Sequence, residues 1–260
     1  MKKNVSSLKA MKGKEKIAMI TAYDALFANL FRDADILLVG DSLNMSFGGA
    51  KDTLSSSVEQ MIYHTKAVCS GAPDTFVVCD MPFGTYTDEA MALKNCIKVY
   101  QETNAGAVKI EGGAEKAHII KALTTNSIAV MGHIGLMPQF VRSEGGYKIK
   151  GKDEANIAKL IDDAKAVEAA GAFAIVIEGV KPEAAKAITQ AVTIPTIGIG
   201  AGSDTDGQVL VWSDMFGLNT EFKPKFVRTY LEGATLFQNG LKEYMKNVKD
   251  SSFPNGDEVY

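Results

Sequence analysis

Cysteine is scarce in this chain and follows no pattern: Cys69, Cys79 and Cys96 are the only three among 260 residues, and no two stand as CxxC. An odd, sparse set argues against a disulfide framework and for reduced thiols, so the expected location is the cytoplasm. Long apolar runs are missing too. No stretch approaches the roughly 18 residues that would span a bilayer. The start, Met1-Lys2-Lys3-Asn4-Val5, leads into Ser6, Ser7, Lys9, Lys12 and Lys14 where a secretory signal would place an apolar core. With a net charge of −3 and no dominant Lys/Arg block, nothing suggests a nucleic-acid or membrane-surface binder. No linker or shift in composition divides the chain. The expectation is therefore one domain over 1–260, with a short N-terminal extension and a C-terminal helix and tail. What is present, 46% hydrophobic and 23% charged residues, suits a globular protein with one large core.

The most informative stretch is Val108-Lys109-Ile110-Glu111-Gly112-Gly113. Read as a strand, it points Val108 and Ile110 to one face and Lys109 and Glu111 to the other. An edge strand with one wet face explains that alternation equally well in isolation. In a barrel, however, the charged face looks inward, at a cost of several kcal/mol unless the charges meet each other, a metal or a ligand. Other apolar runs end the same way. Ile36–Gly40 leads to Asp41-Ser42, Phe76–Cys79 to Asp80, Ile128–Gly132 to His133, and Ala174–Ile177 to Glu178.

Taken in order, Ile17–Thr21 reads as a first strand, followed by helical spacing of Leu26, Phe27, Leu30 and Phe31. Ser55–Ser57 is placed to cap a helix with Val58, Met61, Ile62, Thr65 and Cys69 on one face. Thr87 is the expected cap of a helix whose buried stripe is Ala90, Leu93, Ile97 and Tyr100. A further helix carries Ala117, Ile120 and Leu123. The segment from Gly135 to Gly151 breaks the rhythm and is a lid candidate. Asp153 is expected to cap a helix bearing Ile157, Leu160, Ile161, Ala164 and Val167, and Pro182 to sit in the first turn of another. Ile194–Ile199 and Val209–Val211 complete the strands, a helix follows from about Lys225 to Lys246, and Ser251–Tyr260 is a loose tail.

Strand-like runs alternating with helical ones argue for a parallel sheet, and eight such units in about 250 residues favour a closed (β/α)8 barrel, the TIM barrel, over an open sheet. The strand C-termini then meet at one mouth, where Asp41, Asp80, Glu111, His133 and Glu178 converge. Three carboxylates without thiolates suit a hard cation such as Mg2+ better than zinc, unless one or two are helix caps or salt-bridge partners. His133 alone reads equally as a hydrogen-bonded structural group. Lys109 suits a carboxylate or a developing enolate oxygen, and Glu178 could take a proton from carbon. The alternative for Glu178 is a carboxylate paired with a nearby lysine. Gly198, Gly200 and Gly202 fit a phosphate cradle, or a turn that needs positive φ.

Several motifs in one order carry a resemblance. They are Thr21-Ala22-Tyr23-Asp24, Val39-Gly40-Asp41-Ser42-Leu43, Asp80-Met81-Pro82-Phe83, Val108–Gly113, Gly132-His133-Ile134-Gly135-Leu136 with Pro138-Gln139, Gly145–Lys148, and Gly198–Gly202. From about Ile17 to Lys246 the chain resembles the ketopantoate (3-methyl-2-oxobutanoate) hydroxymethyltransferase family. The resemblance implies a (β/α)8 barrel of the phosphoenolpyruvate/pyruvate-binding superfamily, assembled as a homo-oligomer, typically a decamer. It implies that Asp41 and Asp80 ligate Mg2+ with Glu111 completing the site, that Ser42, Lys109 and His133 lie with them at the oxo acid, and that Glu178 is the base. The implied substrates are a 2-oxo acid, 3-methyl-2-oxobutanoate, and 5,10-methylenetetrahydrofolate.

Two departures from the family pattern are Asn44, where many relatives carry glycine, and Gly179, where a bulkier residue is usual. The basic Gly135–Gly151 segment is expected to close over the folate, with Lys148 and Lys150 near its acidic tail. A magnesium lyase or mutase of the isocitrate lyase type is the nearest rival, but the Lys-Lys-Cys-Gly-His segment of those enzymes is absent. A catalytically dead barrel that only binds an oxo acid is the other, and the intact Asp41, Asp80, Lys109, Glu111 and Glu178 set speaks against it.

Overall fold

Eight parallel strands close on themselves. In the computed structural model, which describes residues 2–260, β1 (Ile17–Thr21), β2 (Ile36–Val39), β3 (Phe76–Asp80), β4 (Ala107–Glu111), β5 (Val130–Gly135), β6 (Ala174–Glu178), β7 (Thr196–Ile199) and β8 (Gly207–Leu210) follow in spatial order, and β8 pairs back onto β1. The chain is a (β/α)8 barrel, as its alternating pattern predicts. The helices up to β7 are α1 (Val5–Met11), α2 (Ala25–Leu30), α3 (Leu43–Ser46), α4 (Val58–Gly71), α5 (Glu89–Glu102), α6 (Ala117–Thr125), α7 (Glu154–Ala169) and α8 (Pro182–Ala191).

The strand period of two explains how one interior is both dry and charged. A continuous apolar cluster contains Ile17 and Met19 of β1, Ile36 and Leu38 of β2, Phe76 and Val78 of β3, Ala107 of β4, Met131 of β5, and Ala174 and Val176 of β6. Continuing those alternations by two residues reaches Thr21, Gly40, Asp80, Lys109, His133 and Glu178. The inward face is thus apolar at the strand N-termini and polar at the C-termini. Register keeps the polar layer level, with Asp80 beside Lys109 and Glu111 beside His133. Leu8 and Met11 of α1 join the apolar cluster. That helix, opened by an Asn4 capping box, was not anticipated within the N-terminal extension.

Other expectations need correction. Asp88, not Thr87, caps α5, whose buried residues are Ala92, Cys96 and Val99. Ala90 and Ile97 are exposed and Leu93 and Tyr100 only half-buried, because the small side chains take the close contact and the large ones lie on the flanks. Leu26 and Leu30 of α2 are exposed. Ser57 and Asp153 cap α4 and α7 as expected, and Pro182 opens α8. β8 starts two residues before the apolar run that announces it. Its first residue is Gly207, where a Cβ would lie 2.4 Å from the Ile17 carbonyl oxygen, so the close approach of β1 demands a residue with no strand signal.

Contacts divide the chain into two units, one ending at Leu210 and one comprising Val211–Tyr260. The second contains α9 (Trp212–Met215) and α10 (Gly233–Lys249). Its long helix begins eight residues after the expected Lys225, because the Tyr230 and Gly233 N–H groups donate to the Met215 and Phe216 carbonyls and fold the preceding segment onto the end of α9. No helix among the described residues is long and apolar enough to cross a membrane.

Candidate active site at the barrel mouth

Each charged group at the mouth is placed by its strand. Gly40 makes room at the end of β2, since a Cβ there would stand 2.7 Å from Ser42 Oγ and 3.5 Å from Asp80 Oδ2. Asp80 Oδ2 accepts the Asp41 backbone N–H at 3.1 Å. Its Oδ1 lies 3.1 Å from Lys109 Nζ in a buried ion pair. Ser42 Oγ shares a 2.8 Å hydrogen bond with the Tyr23 hydroxyl. Burial keeps that phenol protonated, with its pKa pushed up to about 12.

A polar chain leaves Lys109 in the other direction. Its Nζ is 3.0 Å from His133 Nδ1, and an ammonium can only donate, so Nδ1 accepts and the ring proton sits on Nε2. Nε2 faces the Leu136 carbonyl at 3.1 Å and Glu178 Oε2 at 3.4 Å. Burial first, and the Lys109 charge second, lower the His133 pKa and keep the ring neutral. Glu111 Oε1 stands 3.6 Å from His133 Nδ1. Asp41, Asp80, Lys109, Glu111 and His133 are buried, Ser42 is half-buried, and the Glu178 side chain keeps 21% of its exposure at the opening.

The site is short of positive charge. Burial, then repulsion from Asp80, raises Asp41 to about 7. Burial also raises Glu111 well above the usual carboxylate range. Burial alone would lower Lys109, but Asp80, Glu111 and Asp41 outweigh it and hold the ammonium charged. Three acids facing one ammonium fit a further cation. Among the described residues no three His, Cys, Asp or Glu side chains are grouped so as to hold a metal by themselves. Mg2+ does not require that, since it commonly takes one or two carboxylates and completes its shell with water and substrate oxygens. Asp41 and Asp80, both buried, with all-oxygen donors and one ammonium shared with Glu111, fit such an ion.

The segment after β5 lies over this cluster. Leu136 N–H donates to the Glu178 carbonyl at 2.8 Å, and Lys150 N–H to the Gly179 carbonyl at 2.9 Å, so both ends are tied to the end of β6. Between them Arg142 pairs with Asp52 at 3.0 Å and the Tyr147 hydroxyl reaches Met45 Sδ at 3.9 Å. Lys150 is ion-paired with Glu144 at 2.5 Å, leaving Lys148 as the exposed one of the two lysines.

Sequence reasoning brought Asp41, Ser42, Asp80, Lys109, Glu111, His133 and Glu178 to this mouth, and the structure gathers them there. It missed Gln139 as a site residue. Buried in a 3-10 turn at Pro138–Phe140, Gln139 donates from Nε2 to Asp41 Oδ2 at 2.9 Å and to the Met81 carbonyl at 3.0 Å. Its backbone N–H donates to Glu111 Oε2 at 3.1 Å, and its Oε1 accepts from the Tyr86 hydroxyl. Thr53, also missed, is buried with its side chain against Asp41, whose pKa it acts to lower. Pro138-Gln139 stands among the motifs that carry the resemblance, but nothing local aims its side chain at Asp41, and nothing local marks Thr53.

The two departures have structural roles. Asn44 Nδ2 donates to the Asp52 carbonyl at 2.8 Å and to Ser55 Oγ at 2.9 Å, pinning the loop between α3 and α4. Gly179 adopts φ +55°, and a Cβ there would stand 2.8 Å from the Leu136 side chain. Gly200 and Gly202 adopt φ of +60° and +81°, so backbone conformation accounts for the glycine-rich loop after β7.

Comparisons with known proteins show the family and the fold. The family described as ketopantoate hydroxymethyltransferase matches residues 2–256. The 3-methyl-2-oxobutanoate hydroxymethyltransferase of Aliarcobacter butzleri (strain RM4018) is 64% identical over 260 residues, covering 100% of this chain and 97% of that protein. The protein of the same name from Wolinella succinogenes is 60% identical over 257 residues, covering 98% of each. Among solved structures, a phosphonopyruvate hydrolase superposes with a TM-score of 0.64 at 12% identity, over 98% of this chain and 90% of the other. A 2,3-dimethylmalate lyase of the PEP mutase/isocitrate lyase superfamily gives 0.63 at 16%, over 99% and 88%. At those identities the structures share the fold.

Proposed function

The chain belongs to the ketopantoate hydroxymethyltransferase family and is a transferase, and from that premise we propose that it moves a hydroxymethyl group from 5,10-methylenetetrahydrofolate to 3-methyl-2-oxobutanoate, giving 2-dehydropantoate in pantothenate biosynthesis. The observation that carries the mechanism is the run of contacts from Asp80 through Lys109 and His133 to Glu178 at one barrel mouth. It sets an anion-binding group and a proton acceptor on either side of one imidazole.

Asp41 and Asp80 are the proposed ligands of Mg2+, with Glu111 as the third carboxylate beside them. Bound there, the ion supplies Lewis acidity toward the oxygens of the oxo acid. Lys109, held charged by its acidic neighbours, meets the negative charge that grows on the 2-oxo oxygen as C3 loses its proton. Ser42, braced by Tyr23, offers a hydroxyl to the same substrate. Glu178 is the proposed base. The His133 Nε2–H orients its carboxylate, and its partial exposure leaves it open to the C3–H of a bound oxo acid. The proton passes from C3 to Glu178, and C3 bonds to the methylene carbon of the folate. The two carbon–nitrogen bonds break as water gives its hydroxyl to the methylene carbon, and the nitrogens take up the water's remaining proton and the one held by Glu178, releasing tetrahydrofolate. Tethered over the mouth, residues 136–150 shield that chemistry from bulk solvent.

Purified protein incubated with the oxo acid, Mg2+ and methylenetetrahydrofolate is expected to form 2-dehydropantoate, detected by mass spectrometry. No product above the folate-free control would overturn the assignment. Deuterium exchange at C3 with Mg2+ but no folate separates an active enzyme from a barrel that only binds oxo acids. We also place the protein in the cytoplasm, in keeping with three buried free cysteines, and propose a homo-oligomer. Exposed Leu26, Leu30 and Tyr63 in the first unit, and Leu236, Phe237 and Leu241 in the second, supply apolar surface for assembly, and light scattering reads the subunit count.

A further inference from the structure

We propose that Gln139 is a positioning residue for the cation site, through which the 136–150 segment sets the carboxylates of Asp41 and Glu111. The three polar contacts of its side-chain amide leave that amide only one orientation. The Met81 carbonyl can only accept, so the atom 3.0 Å from it is the NH2, and the same nitrogen donates to Asp41 Oδ2. The opposite atom is then the carbonyl oxygen, which accepts the Tyr86 O–H. Burial, with the charges of Glu111 and Asp41 next, raises the Tyr86 pKa well above its usual value, so that donor stays protonated.

The consequence concerns two carboxylates on two strands. Asp41 is reached by the Gln139 side chain and Glu111 by its backbone N–H, so one turn of one loop fixes the spacing of both. The turn is itself held from outside by the Arg142–Asp52 pair, across to the loop between α3 and α4. Groups that orient a metal's carboxylates are commonly worth 10- to 100-fold in affinity. A loop lying down is therefore a condition for a tight cation site as well as a cover over it.

This inference rests on reading Asp41 and Asp80 as cation ligands. The test measures Mn2+ binding, as a spectroscopic stand-in for Mg2+, by electron paramagnetic resonance with the full chain. If the wild type binds no Mn2+, the ligand reading fails and the inference with it. If the wild type binds, Gln139→Met, which keeps the volume and removes the donor, is expected to raise the Mn2+ dissociation constant by about tenfold or more. Tyr86→Phe, which frees the amide to rotate, should raise it less, and should add nothing in the Gln139→Met background. Because removal of one hydroxyl leaves the packing in place, Tyr86→Phe also serves alone should Gln139→Met fail to fold. Wild-type affinity in both variants, in Tyr86→Phe when it stands alone, or additive losses in the double variant, would overturn the role of Gln139 while leaving the ligand reading intact.

Discussion

Lys109 Nζ donates to His133 Nδ1 across 3.0 Å, and on its other side lies 3.1 Å from Asp80 Oδ1. One buried ammonium thereby fixes the tautomer of the imidazole and balances the nearest carboxylate. The arrangement predicts what its removal does. Lys109→Met leaves Asp80 buried without its counter-charge, and loss of one partner of such a pair costs about 3–5 kcal/mol. Urea unfolding of the metal-free variant is expected to show a loss of that order, and turnover assayed with Mg2+ is expected to be lost. Unchanged stability would show that the Lys109–Asp80 ion pair contributes nothing to the fold.

Glu178 is the separable member of the set. It is partly exposed, and its side chain touches the cluster through His133, so Glu178→Gln should keep the fold and the affinity for the oxo acid. Deuterium exchange at C3 is expected to fall by about 10²- to 10⁴-fold, the usual contribution of a positioned base. Full exchange in the variant would move the base elsewhere.

The raised carboxylates give the metal-free protein a pH dependence of definite sign. Asp41, held at about 7, and Glu111, also raised, bind more protons folded than unfolded between their ordinary range near pH 4 and their folded values. Their contribution to stability therefore falls as pH rises through that window. Thermal melts in chelator should show this decline from about pH 4 to about pH 7. Added Mg2+ is expected to stabilise most at and above pH 7, where Asp41 ionises. Melts with the opposite slope for the Asp41 and Glu111 contributions, isolated by Asp41→Asn and Glu111→Gln, would reverse the electrostatic reading.

Of the two lysines offered to an acidic folate tail, only Lys148 faces solvent unpaired with any described residue, since Lys150 is bound to Glu144. Lys148→Ala is therefore expected to raise KM for a polyglutamylated folate up to about fivefold, the scale of an exposed ion pair, and less at high salt. The oxo-acid KM should stay the same. Lys150→Ala should act instead through the anchoring of the loop, altering both constants. Folate KM indifferent to Lys148 would place the tail elsewhere.

Much of this site was legible because its rules are local. A period of two along β4 puts Lys109 and Glu111 on one face whatever the rest of the chain does, and polar residues two steps beyond apolar ones recur in β3, β5 and β6. Where local signals are weak the reading slipped. The strand opening at Gly207 carries no strand propensity because the backbone of β1 sits where a side chain would go. The buried stripe of α5 went to smaller residues than hydrophobicity alone selects.

By itself, then, the sequence determined the eightfold alternation, the direction of every strand and which residue types would stand at their ends, since backbone geometry and side-chain parity act over a few neighbours. Only the tertiary structure decided that Gln139 reaches Asp41, 98 positions away, and that Arg142 reaches Asp52 from the opposite loop. Those contacts depend on how far strand closure brings the β2 and β5 ends together, a distance no short stretch encodes. The charge balance belongs there too. A carboxylate in isolation ionises near pH 4, and Asp41 departs from that value because the closed barrel removes its water and sets Asp80 beside it.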